Sequence, residues 1–173
     1  MREIETYEIV VKSVDVDEHA DGSGEVTVVY KGKAEEKTAK ATFRTGAFRD
    51  LFDCCEAISQ NIMMSEFRPN TGVHFSFDLV NDEGISIWHT TPNNYLKMPL
   101  KMNIDWTCQH LSTSYKSYTT LGVVRIPDTL KLVEGRLPAQ KLAELLIQSM
   151  VSGLEFIGLM FMQREQMGRD HHA

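Results

Sequence analysis

Strand-like alternation opens the chain. Tyr7, Ile9 and Val11 fall on one face of an extended segment, and Val26, Val28 and Tyr30 repeat the pattern after the polar turn Asp21-Gly22-Ser23-Gly24. Ala39, Ala41 and Phe43 alternate with Lys40, Thr42 and Arg44 and predict a third strand. The period then lengthens. Phe48, Leu51, Phe52, Cys55, Ile58 and Ile62 recur at spacings of three and four, which is one apolar stripe of a helix. Thr45 is placed to cap that helix, Asp50 lies near its positive start, and Arg68-Pro69-Asn70-Thr71-Gly72 ends it.

Alternation resumes with Val73, Phe75, Phe77 and Leu79 against His74, Ser76 and Asp78. The turn Asn81-Asp82-Glu83-Gly84 predicts a hairpin that returns through Ile85, Ser86, Ile87 and Trp88. A loop with Pro92, Asn93, Asn94 and Pro99 leads into Leu100, Met102, Ile104, Trp106 and Cys108, alternating with Lys101, Asn103, Asp105 and Thr107. Tyr118 to Ile126 reads as a further strand. A helix from about Pro138 to Met167 closes the pattern, with proline suited to its first turn and Gly168 to its end.

The predicted order is βββ-α-ββββ-α: an α+β fold in which an antiparallel sheet of about six to seven strands packs against two helices, the C-terminal one long. No sequence repeat, low-complexity tract or linker interrupts it, so residues 1–168 are expected to form one domain and 169–173 a disordered polar tail. A chain of 173 residues that is 42% hydrophobic is large enough for one sizeable core.

Charge alters the picture at one end. Residues 1–25 carry eight acids (Glu3, Glu5, Glu8, Asp15, Asp17, Glu18, Asp21, Glu25) against Arg2 and Lys12, which accounts for the whole net charge of −6. An acidic leading hairpin repels phosphate and argues against a nucleic-acid partner, while it suits a basic protein surface or serves as a solvated edge. The segment Met-Arg-Glu-Ile-Glu-Thr-Tyr-Glu lacks an apolar signal core, and the three cysteines are odd in number, with Cys54 and Cys55 adjacent. Both features point to reduced thiols and a cytoplasmic location.

Candidate chemistry is sparse. His19 to Glu25 has alternating oxygens like a calcium loop, but histidine occupies the first ligand position and Tyr30 the closing one, so an acidic turn is the better reading. Cys108 and His110 sit two apart on one strand, and a thiol beside an imidazole forms either a reactive pair or half of a zinc site. Each role needs further groups that the strand does not supply. Cys55 continues the apolar stripe of its helix with Cys54 beside it, and neither has the Cys-x-x-Cys spacing of a redox site. The terminal His171-His172 reads as a polar tail. No Gly-x-Ser-x-Gly, Walker-type, His-Glu-x-x-His or Gly-x-Gly-x-x-Gly motif occurs. Neither catalytic, cofactor nor metal residues are therefore assigned.

The last helix carries the strongest signal. Lys141, Glu144, Gln148, Ser152 and Glu155 form a polar stripe opposite Leu142, Leu145, Leu146, Met150, Leu154 and Ile157. Beyond Glu155 that stripe ends: Phe156, Ile157, Leu159, Met160, Phe161 and Met162 wrap the helix in apolar side chains. Such a segment needs a second surface, whether core, partner or twin subunit. A membrane span is disfavoured, since Glu144 and Glu155 would each cost about 2.5–3.5 kcal/mol at a bilayer centre. These residues predict a non-enzymatic interaction module, such as an adaptor, a chaperone-like factor or a small inhibitor or immunity-type protein, that self-associates as a homodimer through its C-terminal helix. The alternative is a small-molecule-binding domain or an enzyme without a recognisable motif, its cavity lined by Phe75, Phe77, Trp88, Met102, Ile104 and Trp106 between the sheet and the long helix.

Overall fold

The computed structural model describes residues 8–33, 35–45, 48–66, 71–80, 101–110, 113–125 and 138–170. Its elements are β1 (Val10–Glu18), β2 (Gly24–Lys31), β3 (Glu36–Phe43), α1 (Phe48–Glu66), β4 (Thr71–Val80), β5 (Lys101–His110), β6 (Thr113–Arg125) and α2 (Ala139–Asp170). The protein is α+β, with antiparallel pairing throughout. The expected return strand Ile85–Trp88 lies outside the described residues; among those described, β4 pairs with β5 along its whole length.

Among the described residues the strands fall into two hydrogen-bonded sets, β1-β2-β3 and β4-β5-β6, and not into one sheet. Among the described residues the chain thus runs twice through βββα. Two of the edges are closed to further pairing. Gln140 and Glu155 of α2 occupy the outer backbone groups of β1, and Glu56 and Gln60 of α1 occupy those of β4. An edge whose N–H and C=O groups are already bonded offers nothing to another strand.

The first sheet follows its pattern closely. Val26, Val28, Tyr30, Ala39 and Phe43 are buried, while Lys40, Thr42 and Arg44 are exposed. β1 departs from simple alternation. Its register against β2 slips by one residue between Val11 and Ser13. That bulge moves the core-facing set from Ile9 and Val11 to Val14 and Val16, so all four pack inward despite the change of parity. In the β1–β2 turn Gly22 takes φ 89°, a left-handed conformation that glycine adopts without penalty. At Gly24 a side chain would run into the Phe43 ring and the Asp17 carbonyl.

The helices bury unusually wide faces. On α1 the buried positions come in adjacent pairs, Leu51–Phe52, Cys54–Cys55, Ile58–Ser59 and Ile62–Met63. On α2 they are Leu142–Ala143, Leu146–Ile147, Met150–Val151 and Gly153–Leu154. At 100° per residue each set sweeps about half the circumference, more than one sheet can cover. The helices pack on each other, and each meets both sheets: α1 lies on β2 and β3 and along β4, while α2 lies on β5 and β6 and along β1. Ser59, buried at their crossing, donates to the Cys55 carbonyl at 2.9 Å and to Met150 Sδ at 3.4 Å.

Thr45, expected to cap α1, bonds within its first turn. Its hydroxyl donates to Asp50 Oδ2 at 2.6 Å, tying the loop to the first turn of α1, which begins three residues later at Phe48.

Candidate functional site

α2 is the element on which the sequence placed a function. It runs unbroken for 32 residues, about 48 Å at 1.5 Å per residue. Its first half is anchored by polar contacts to β1. The Gln140 amide reads both sides of the strand edge, accepting from Val16 N–H at 2.8 Å and donating to Val14 C=O at 2.6 Å. It also donates to Glu144 Oε1 at 2.8 Å. Four turns further on, Glu155 Oε1 accepts from Ile9 N–H at 2.9 Å. The polar stripe of the sequence therefore includes structural contacts as well as solvated positions: Glu155 holds the start of β1, while Gln148 and Ser152 are exposed.

Phe156, Ile157, Leu159, Met160, Phe161 and Met162 continue the same helix, and their side chains lie outside the described residues.

α1 provides the matching contact on the second sheet. Glu56 Oε2 accepts from Phe75 N–H at 2.7 Å, and Gln60 Nε2 donates to Val73 C=O at 2.9 Å. A spacing of four puts both on one face of the helix, directed along β4. Burial holds the Glu56 carboxyl above its ordinary range, opposed by the Phe75 N–H and by His74. Val73 and Phe75 are themselves buried. Sequence reasoning missed Glu56, Gln60 and Gln140. The available signal on α1 was a glutamate and a glutamine four apart, flanking its apolar stripe.

Cys108 and His110 occupy β5 opposite Val73 and Thr71 of β4, and opposite Ser117 and Ser114 of β6. The β5–β6 register slips between them, while the β4–β5 register stays regular. Of the six residues expected to line a cavity, Phe75 is buried against the helices and Trp88 lies outside the described residues. The others are placed by their backbone: in the β4–β5 register Trp106 stands opposite Phe75, Ile104 opposite Phe77 and Met102 opposite Leu79.

Cys54 and Cys55 are both buried and unbridged. Burial pushes the Cys54 thiol up to about 11, with the Glu25 carboxylate adding to the rise against a hydrogen bond from Val26, and burial pushes Cys55 higher still. Thiols so placed stay protonated at neutral pH and lack the thiolate that nucleophilic or redox chemistry uses. Cys54 is thus core, like Cys55, and does not merely flank the stripe.

The acidic turn is held from within. Asp21 Oδ1 accepts from the Ser23 hydroxyl at 2.6 Å and from Ser23 N–H at 3.0 Å, and these bonds hold its carboxyl below the usual range. Asp15, Asp17, Glu18 and Asp21 are all exposed, so the hairpin presents its negative charge to solvent. Among the described residues no three His, Cys, Asp or Glu side chains gather as metal ligands. No helix among them is long and apolar enough to cross a membrane.

No protein-family model, curated protein or solved structure matches the chain.

Proposed function

We propose that the protein is a non-enzymatic interaction module that self-associates through the C-terminal half of α2. The observation that carries this reading is the continuation of α2 for fifteen residues past Glu155, which accepts from Ile9 N–H beside β1, into a stretch whose sequence loses its polar stripe. A helix that is apolar all round needs cover on more than one side. A second copy supplies it symmetrically, since a twofold contact sets the same six side chains against themselves. Methionines at 160 and 162 suit an adaptable contact. The exposed acids of the β1–β2 hairpin give the assembled protein a surface suited to a basic partner.

Native mass spectrometry of the full chain, beside its denatured mass, tests this. A dimer or larger species without added mass is expected, and Phe156→Ser with Phe161→Ser should shift it to monomer while the far-ultraviolet dichroism is unchanged. A wild-type monomer that retains a small molecule overturns the reading in favour of a ligand-binding domain. Double-variant chains that unfold instead of dissociating would assign the segment to the core.

A further inference from the structure

Two strand edges are sealed by helix side chains, and a third is open. The seals also fix which way each strand of the first sheet turns its backbone. Val14 and Val16 direct their C=O and N–H to Gln140, away from β2. Ser13, Asp15 and Asp17 therefore bond β2, and alternation across the registers turns Val26, Val28 and Tyr30 toward β3. On β3 itself, Lys37, Ala39, Ala41 and Phe43 face β2, and Glu36, Thr38, Lys40 and Thr42 present N–H and C=O outward. Among the described residues nothing bonds those outward groups, and all four side chains are exposed.

We propose that this edge pairs antiparallel with β3 of a second copy, about a twofold axis at Thr38. Charge selects the register. With the axis at Thr38, Glu36 of each copy stands directly opposite Lys40 of the other, on the exposed face and on both sides of the axis. Moving the axis to Ala39 leaves both charges opposite threonine, and moving it to Lys40 sets lysine against lysine. On the inner face Lys37 then opposes Ala39, whose small side chain leaves Lys37 its contacts with Ser65 Oγ at 2.7 Å and Glu66 at 3.6 Å. Backbone hydrogen bonds supply the association and the paired charges its specificity, as in other strand additions. The two three-stranded sheets join into one continuous sheet. This interface is separate from α2 and stands whether or not α2 associates.

Sedimentation of the full chain over a range of concentrations tests it, with Lys40→Glu, Glu36→Lys and the double exchange. Each single change sets like charges opposite each other twice and should raise the dimer dissociation constant about ten- to a hundred-fold. The double exchange restores the pairs and should return it to within a few-fold of wild type. Thr38→Pro removes the outward N–H at the axis and should abolish the contact. Association through α2 alone produces no such pattern of loss and rescue. The proposal is overturned by a wild-type chain that stays monomeric throughout, with Lys40 acting only to blunt the edge, by single exchanges without effect, or by a double exchange that fails to rescue. Both positions are exposed, so the dichroism should be unchanged in every charge variant.

Discussion

The edges of β1 and β4 meet the same demand with different chemistry. Each is the first strand of its sheet, and each is sealed by the helix that follows the other sheet in the chain. At β1 a neutral amide, Gln140, satisfies a donor and an acceptor at once, and Glu155 takes a third group farther along. At β4 the work is divided, a carboxylate for the Phe75 N–H and an amide for the Val73 C=O, one turn apart. The Gln140 amide itself carries no charge. The carboxylate seal gains a strong acceptor but brings a charge into a half-buried site, and its raised pKa records that cost. The Val14 and Val16 backbone is thus met by a neutral amide, and the Phe75 N–H by a titratable carboxylate.

The deepest break removes the packing beneath both seals. Leu146 is fully buried on α2, in the layer the helices share. Leu146→Ala should lower the unfolding free energy by about 2–5 kcal/mol. Guanidinium denaturation followed by fluorescence and by dichroism should give a single coincident transition. Two separated transitions would mean that the sheets do not share a core.

Next in size is the amide seal. Gln140→Ala leaves Val16 N–H and Val14 C=O without partners at a partly buried edge, for a loss of about 1–3 kcal/mol. Gln140→Glu should recover little of it. It keeps an acceptor for Val16 but turns a carboxylate oxygen toward the Val14 carbonyl and adds a charge beside Glu144. A Gln140→Ala chain as stable as wild type in denaturant titration would show that water replaces the amide without loss.

At the carboxylate seal, Glu56→Ala orphans one donor, the Phe75 N–H, and should cost about 1 kcal/mol. Hydrogen exchange should localise the difference, with faster exchange at Phe75 and little change along β1. Uniform acceleration across both sheets would argue that the two seals act as one.

How far the sequence discloses these features depends on the range of the interaction. Alternation in β2 and β3 identifies their buried residues because each is set by a two-residue period and one covered face. The β1 bulge is legible too, as the change from Ile9 and Val11 to Val14 and Val16, once a one-residue insertion is allowed. The division into two sheets is not legible. Two edges are closed by Gln140 reaching back to β1 across 124 residues and by Glu56 reaching β4, and no local pattern encodes such a reach. Cys54 illustrates the same limit: one covered helix face predicts it at the margin, and burial on a second side moves it into the core. For the candidate site, the loss of the polar stripe after Glu155 is plain in the sequence, whereas the role of Glu155 itself, as the anchor of Ile9, required the fold.

The smallest expected effect is the one that separates the two seals most cleanly. Glu56→Gln keeps an acceptor for Phe75 N–H and removes the buried charge, so at pH 7 it should be neutral or slightly stabilising, where the alanine variant is destabilising. The sign of its pH dependence follows from the direction of the shift. Because burial raises the folded-state pKa above the unfolded one, the contribution of Glu56 to stability is fully present below the unfolded value and is lost as pH rises through the folded one. Relative to Glu56→Gln, the wild type should therefore gain stability as pH falls from 7 toward the ordinary glutamate range. Taking the difference between the two chains at each pH cancels the other carboxylates. A flat difference for Glu56→Gln would mean that solvent reaches the carboxylate freely, and the distinction between a charged and an uncharged seal would lose its energetic content.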